Sequence, residues 1–147
     1  MSARSERPDR SEPFLPTRPP RRNLETAEFW DGCAAGRFLL PRCDDCGEHI
    51  WYPRLLCPFC GSTAVHYHEA SGRGTVYSFA VQRRGQGPWR DVAPYVVAMV
   101  RLAEGPVVMT NLVDVDPATV TIDQPVHVVF EPVADSDDAL FRFAPDA

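Results

Sequence analysis

Four cysteines stand in two like pairs between residues 43 and 61, in the stretch CDDCGEHIWYPRLLCPFCG. The string is Cys43-x2-Cys46-x10-Cys57-x2-Cys60, and each pair is followed at once by glycine, Gly47 or Gly61. A C-x-x-C turn can set two sulfurs on one ion, and glycine after the second cysteine permits the tight backbone path. Two such turns facing each other supply the four soft ligands of a tetrahedral zinc site. An iron site of the same geometry is the rival, since thiolate number and spacing separate the two metals poorly. A redox dithiol fits less well, because it takes one pair at the start of a helix beside a strand. Four thiolates also close the coordination shell, whereas a catalytic zinc keeps one position open. The expected role is therefore structural. His49, His66 and His68 lie nearby, and with four cysteines already present they are read as surface or packing residues. Cys33 is the odd cysteine and is expected to be a small buried hydrophobe.

No other cluster offers catalysis. The chain shows no Ser/His/Asp set, no paired carboxylates and no phosphate-type glycine loop. Asp114 and Asp116 are close together, but at a strand end they are read as turn formers. Gly85, Gly87, Pro88 and Trp89 lack the spacing of a nucleotide loop. Trp89 in that Gly/Pro-rich loop is either an interface anchor or a core residue. Arg83, Arg84 and Arg90 flank the loop.

These residues must be positioned by a small, mainly β chain of 147 residues. Residues 1–22 hold five prolines and six arginines and read as a disordered, basic tail. That tail carries +3 of a net −5, so the remainder carries −8, and there is no lysine. A body so acidic suits a nucleic-acid backbone poorly. Residues 23–37 are expected to hold a short helix, with Thr26 as cap and Gly36 as stop. Phe29, Trp30 and Cys33 share one stripe of it, which is either a packing face or a docking face. Residues 38–70 form the cysteine module, with short strands expected in FLLPRC, HIWYP and AVHYH. Residues 71–147 contain GTVYSFAVQ, YVVAMVRLA, PVVMTNLVDV, PVHVVFEPV and ALFRF. These are β-branched, aromatic runs that predict a five-stranded barrel, the OB type being the commonest candidate. No apolar run approaches the roughly 18 residues a membrane helix needs, and no apolar signal core is seen at the N-terminus. A cytoplasmic setting is the expectation.

The order of these features resembles the zinc-ribbon/OB-fold proteins known as the domain of unknown function 35 family. The resemblance rests on FWDGCAAGRFLLPRCDDCG, YPRLLCPFCGS, SGRGTVYSFAV, PYVVAMVRLAEGPVVMTNLVD and PVHVVFEPV. It implies an N-terminal helix, a rubredoxin-like zinc ribbon and a C-terminal five-stranded OB-fold barrel. It also implies a non-catalytic partner of thiolase-superfamily enzymes acting on acyl-CoA thioesters, either thiolases or aldolases that shorten steroid side chains. On that reading the catalytic groups belong to the partner, Zn2+ is structural, and a CoA thioester would lie at a site shared with the partner. Phe29, Trp30 and Trp89 would then face the partner, and Arg83, Arg84 and Arg90 either the phosphates of CoA or solvent around the loop. The competing expectation is a single-stranded nucleic-acid-binding ribbon–barrel protein, with Tyr77, Phe79 and Tyr95 stacking bases.

Overall fold

The computed structural model describes residues 15–147. Helix α1 (Ala27–Ala34) leads into β1 (Leu39–Cys43) and β2 (Val65–Glu69), which pair antiparallel as a two-stranded ribbon. Five strands follow: β3 (Arg73–Gln82), β4 (Tyr95–Leu102), β5 (Val107–Leu112), β6 (Pro125–Pro132) and β7 (Ala139–Pro145). They close in the order β3-β4-β5-β7-β6, with β6 returning to β3. The expected mainly β architecture of helix, ribbon and five-stranded OB-type barrel is the one observed.

The barrel follows from the alternation of its strands. In β4 the buried positions are Val96, Ala98, Val100 and Leu102, every second residue, so one face fills the barrel and the other does not. Val76, Val108, Leu112, Val126 and Phe143 complete that interior. Strand β3 must bend to pair with both β4 and β6, and its register with β4 shifts between Val76 and Ser78, as a bulge does. Gly74 pairs with both neighbours. A Cβ there would lie 2.6 Å from a Val100 methyl and 2.7 Å from the Arg101 carbonyl, so the closure has room only for glycine.

One junction is thin. Strands β5 and β7 run parallel and pair only at Leu112↔Phe143, supported by the Val113 N–H donating to the Phe143 carbonyl at 2.9 Å. Beside that gap lies a buried polar group. Arg142, 8% exposed, donates to Glu131 at 3.2 Å and to the Asn111 side-chain oxygen at 2.8 Å. Glu131 is 1% exposed.

Ribbon and barrel are joined by an aromatic seam. The Phe29 ring, 1% exposed, has ring centroids of Trp30, Phe38, Trp51 and Phe141 at 4.9, 5.9, 5.2 and 5.6 Å, all steeply inclined. Burying such a side chain contributes about 1.5–3 kcal/mol, and each edge-to-face pair about 0.5–1.5 kcal/mol more.

Three local expectations change. The segment HIWYP forms no strand; it contributes a single bridge, Arg42↔His49, because the chain between the knuckles turns at Trp51–Tyr52 and again before Cys57. Thr26 stands at the start of α1 but does not cap it. Its hydroxyl donates to the Asn23 side chain, whose oxygen also accepts the Glu25 and Thr26 N–H groups. Of the tail expected over 1–22, residues 1–14 lie outside the described residues. Residues 15–22 hold no helix or strand, yet they are docked. The Pro16 carbonyl accepts from Arg142 at 3.1 Å, and Arg22 pairs with Asp31 of α1 and with Asp138 before β7. Buried donors and opposite charges supply the partners that composition alone did not reveal.

Candidate functional site

The cysteines lie on two knuckles of the same construction. In the first, the Cys43 N–H donates to the Glu48 carbonyl at 3.0 Å and the Gly47 N–H to the Cys43 carbonyl at 2.8 Å. In the second, the Cys57 N–H donates to the Ser62 carbonyl and the Gly61 N–H to the Cys57 carbonyl, both at 2.9 Å. Gly47 and Gly61 carry φ of +78° and +76°, a conformation in which any side chain is strained. The knuckles are latched together by the Asp44 N–H on the Ala64 carbonyl at 2.8 Å and by Ser62 on Asp45.

The four Sγ atoms lie within 4.8 Å of one another, with Cys43–Cys60 at 3.6 Å and Cys46–Cys57 at 3.7 Å. These are not disulfides, which need about 2.05 Å. A tetrahedron with zinc–sulfur bonds of about 2.3 Å has edges of about 3.8 Å, so the four thiols fit a closed zinc site. Cys43 and Cys57 are buried and Cys46 and Cys60 exposed. The Cys46 and Asp45 N–H groups draw the Cys43 thiol down to about 7, against burial. Cys60 is pushed up to about 12: the Ser62 N–H favours its thiolate, but the Cys43 sulfur, burial and the other two sulfurs oppose it. The fourfold sulfur cluster therefore holds protons that a cation must displace. Cys33 is remote in kind, a buried thiol that desolvation raises to about 12.

A second feature lies on the barrel, at the β5/β7 gap. A cavity of about 670 Å³ is lined by Trp30, Trp89, Tyr95, Met109 and Phe141, with Asn111 and Arg142 also contributing and Arg84 beside them. Trp89 sits on the 3-10 turn Gly87–Trp89 and packs on Tyr95 with centroids 4.7 Å apart. The Trp30 Nε1–H is buried and has no hydrogen-bond partner among the described residues. Of the residues singled out from sequence, the fold brings Trp30, Trp89, Tyr95 and Arg84 to this cavity. Phe29 turns the other way, into the seam, and Arg83 and Arg90 are exposed outside the lining. Asn111, Met109, Phe141 and Arg142 were missed. Their strands were recognised, but nothing in a strand's sequence says which edges face a gap.

Two family models match in tandem: the ChsH2 rubredoxin-like zinc ribbon domain over residues 30–66, and the ChsH2 C-terminal OB-fold domain over 67–131. A "DUF35 domain-containing scaffold protein" of Methanothermobacter thermautotrophicus is 34% identical over 110 residues, covering 71% of this chain and 83% of that protein. The chain belongs to the DUF35 family. It is also 34% identical to the "3-oxo-4,17-pregnadiene-20-carboxyl-CoA hydratase alpha subunit" of Mycobacterium tuberculosis, over 95% of this chain but 43% of that subunit. Among solved structures, a chain of the "Ltp2-ChsH2(DUF35) aldolase" superposes with TM-score 0.78 and 35% identity, over 86% of this chain and 98% of that one. No helix among the described residues is long and apolar enough to cross a membrane.

Proposed function

We propose that this protein is a non-catalytic accessory subunit of an acyl-CoA enzyme of the thiolase superfamily, a thiolase or a retro-aldolase acting on steroid-type side chains. It stabilises that enzyme and helps shape the entrance for the acyl-CoA. The observation that carries the reading is the pairing of a closed four-thiolate centre with an open aromatic cavity edged by Arg84. The first has no vacant position for chemistry, while the second offers apolar surface and a cation to something the chain does not itself contain. The names of the relatives, a scaffold protein and subunits of hydratase and aldolase complexes, support the same role. Within it, Trp30 and Trp89 form the contact surface and Arg84 is the CoA-phosphate contact. Arg83 and Arg90 extend the positive rim for the same anion. Zinc fixes the ribbon and takes no part in the reaction.

The test is co-expression with a thiolase-superfamily acyl-CoA enzyme from the same genome. A stable hetero-oligomer on light scattering, with raised enzyme stability, is expected. W89A should weaken assembly, and R84A should raise KM for the CoA thioester with little change in kcat. An enzyme that is equally soluble, stable and active alone, and never co-elutes, overturns the proposal.

A further inference from the structure

The ribbon carries a second group of metal-ligating side chains that the four-thiolate centre leaves unused. His66 and His68 alternate along β2 and so share one face, with 66% and 44% of their side chains exposed. Between them Tyr67 turns to the other face and donates to the Glu25 carbonyl at 2.6 Å, which fixes the strand's orientation. Both imidazoles meet the same carboxylate. Asp44 Oδ2 lies 2.5 Å from His66 Nδ1, and its Oδ1 lies 3.4 Å from His68 Nε2. Asp44 is no floating surface acid, because its own N–H is held by the Ala64 carbonyl at the foot of β2.

We propose that His66, His68 and Asp44 form a second metal site, for a borderline transition cation such as zinc, nickel(II) or copper(II). At a rise of about 3.3 Å per residue, the two imidazole-bearing positions are about 6.6 Å apart. That is close enough for ring nitrogens to converge on one ion at about 2.0–2.1 Å. Two imidazoles and one carboxylate occupy one face of such an ion, and water fills the remaining positions. Without a cation the carboxylate lies between the two rings; with one, the exposed side chains rotate and the ion takes the place of the His66–Asp44 hydrogen bond and the longer His68–Asp44 contact. The neighbouring charges permit this. Arg42 stands opposite His66, but its Nε donates to the Gly47 carbonyl at 3.2 Å, drawing the guanidinium toward the knuckle. Glu69 is engaged by Arg37 and Asp45 by Ser62. A cation held here ties the first knuckle to β2. This site is independent of the proposed partner enzyme.

The test uses full-length protein already loaded at its cysteines. Titration with Ni2+ or Zn2+ by calorimetry, and with Cu2+ by electron paramagnetic resonance, should show one further equivalent with nitrogen ligation. The double variant H66A/H68A should weaken it by at least the roughly tenfold that loss of an outer-shell partner costs elsewhere. H68A alone should weaken it too, while the exposed His127, which pairs with Asp146 at 2.8 Å, serves as control: H127A should bind normally. The proposal fails if the native protein takes up no further equivalent, or if H66A/H68A and the native protein bind it alike.

Discussion

Replacing Arg142 by methionine should destabilise the protein severely, and the size of the loss follows from where its partners are left. Glu131 is 1% exposed and faces the Arg142 Nε at 3.2 Å. The Asn111 side chain accepts from Arg142 at 2.8 Å while its amide donates to the Val96 carbonyl at 3.0 Å, so it cannot turn away cheaply. R142M thus removes the guanidinium that the Glu131 carboxylate and the Asn111 amide oxygen both face. Removing one partner of a buried ion pair costs about 3–5 kcal/mol. For a chain of this size each kcal/mol moves Tm by about 3 °C, so a fall of about 9–15 °C is expected. The double variant R142M/E131L removes both charges and should recover the part of the loss that belongs to the ion pair, since apolar replacement of a whole buried pair is often neutral or stabilising, but not the part from the Asn111 and Pro16 oxygens that Arg142 served. Circular dichroism melts of the zinc-loaded proteins give both numbers. If the double variant falls as far as R142M, the charge argument is wrong and volume in the barrel wall is what matters.

F29A should cost about 3–5 kcal/mol and raise the accessibility of Trp30 and Trp51 to acrylamide quenching, because Phe29 is the ring on which the seam converges. R22A should cost about 1 kcal/mol, since Arg22 is partly exposed and its pairs with Asp31 and Asp138 are screened; urea melts will read it. C46S should abolish tight zinc binding, measured by metal content after gel filtration with a chelator. Zinc affinity should fall as pH drops, already above pH 7 because Cys60, pushed up to about 12, still holds its proton, and more steeply below about 7, where the Cys43 thiol also regains one; chelator competition at two pH values will show the sign.

The cysteine spacing disclosed the four-thiol cluster, because knuckle geometry is local and glycine marks its turn. Strand alternation disclosed the barrel for a similar reason. What stayed hidden depends on contacts distant in sequence. Nothing in ALFRF marks Arg142 as buried, and only closure of the barrel brings it to Glu131 and Asn111. Phe29 and Trp30 are adjacent on one short helix, yet one enters the seam and the other reaches the cavity. No helical period could assign those directions, because they depend on the placement of β7. Asn23, outside the helix, took the role expected of Thr26 for a smaller reason: its side chain reaches two backbone N–H groups at once.

The salt bridge from Arg22 to Asp138 spans 116 positions, and Phe29 meets Phe141 across a similar stretch. At translation speeds of about 5–20 residues per second, α1 exists for about 6–23 s before its last neighbour is made. During synthesis Phe29 and Trp30 therefore emerge long before Phe141, the β7 ring that packs against both. A chaperone that reads exposed aromatic residues has its longest opportunity at that helix, and slow codons downstream would lengthen it.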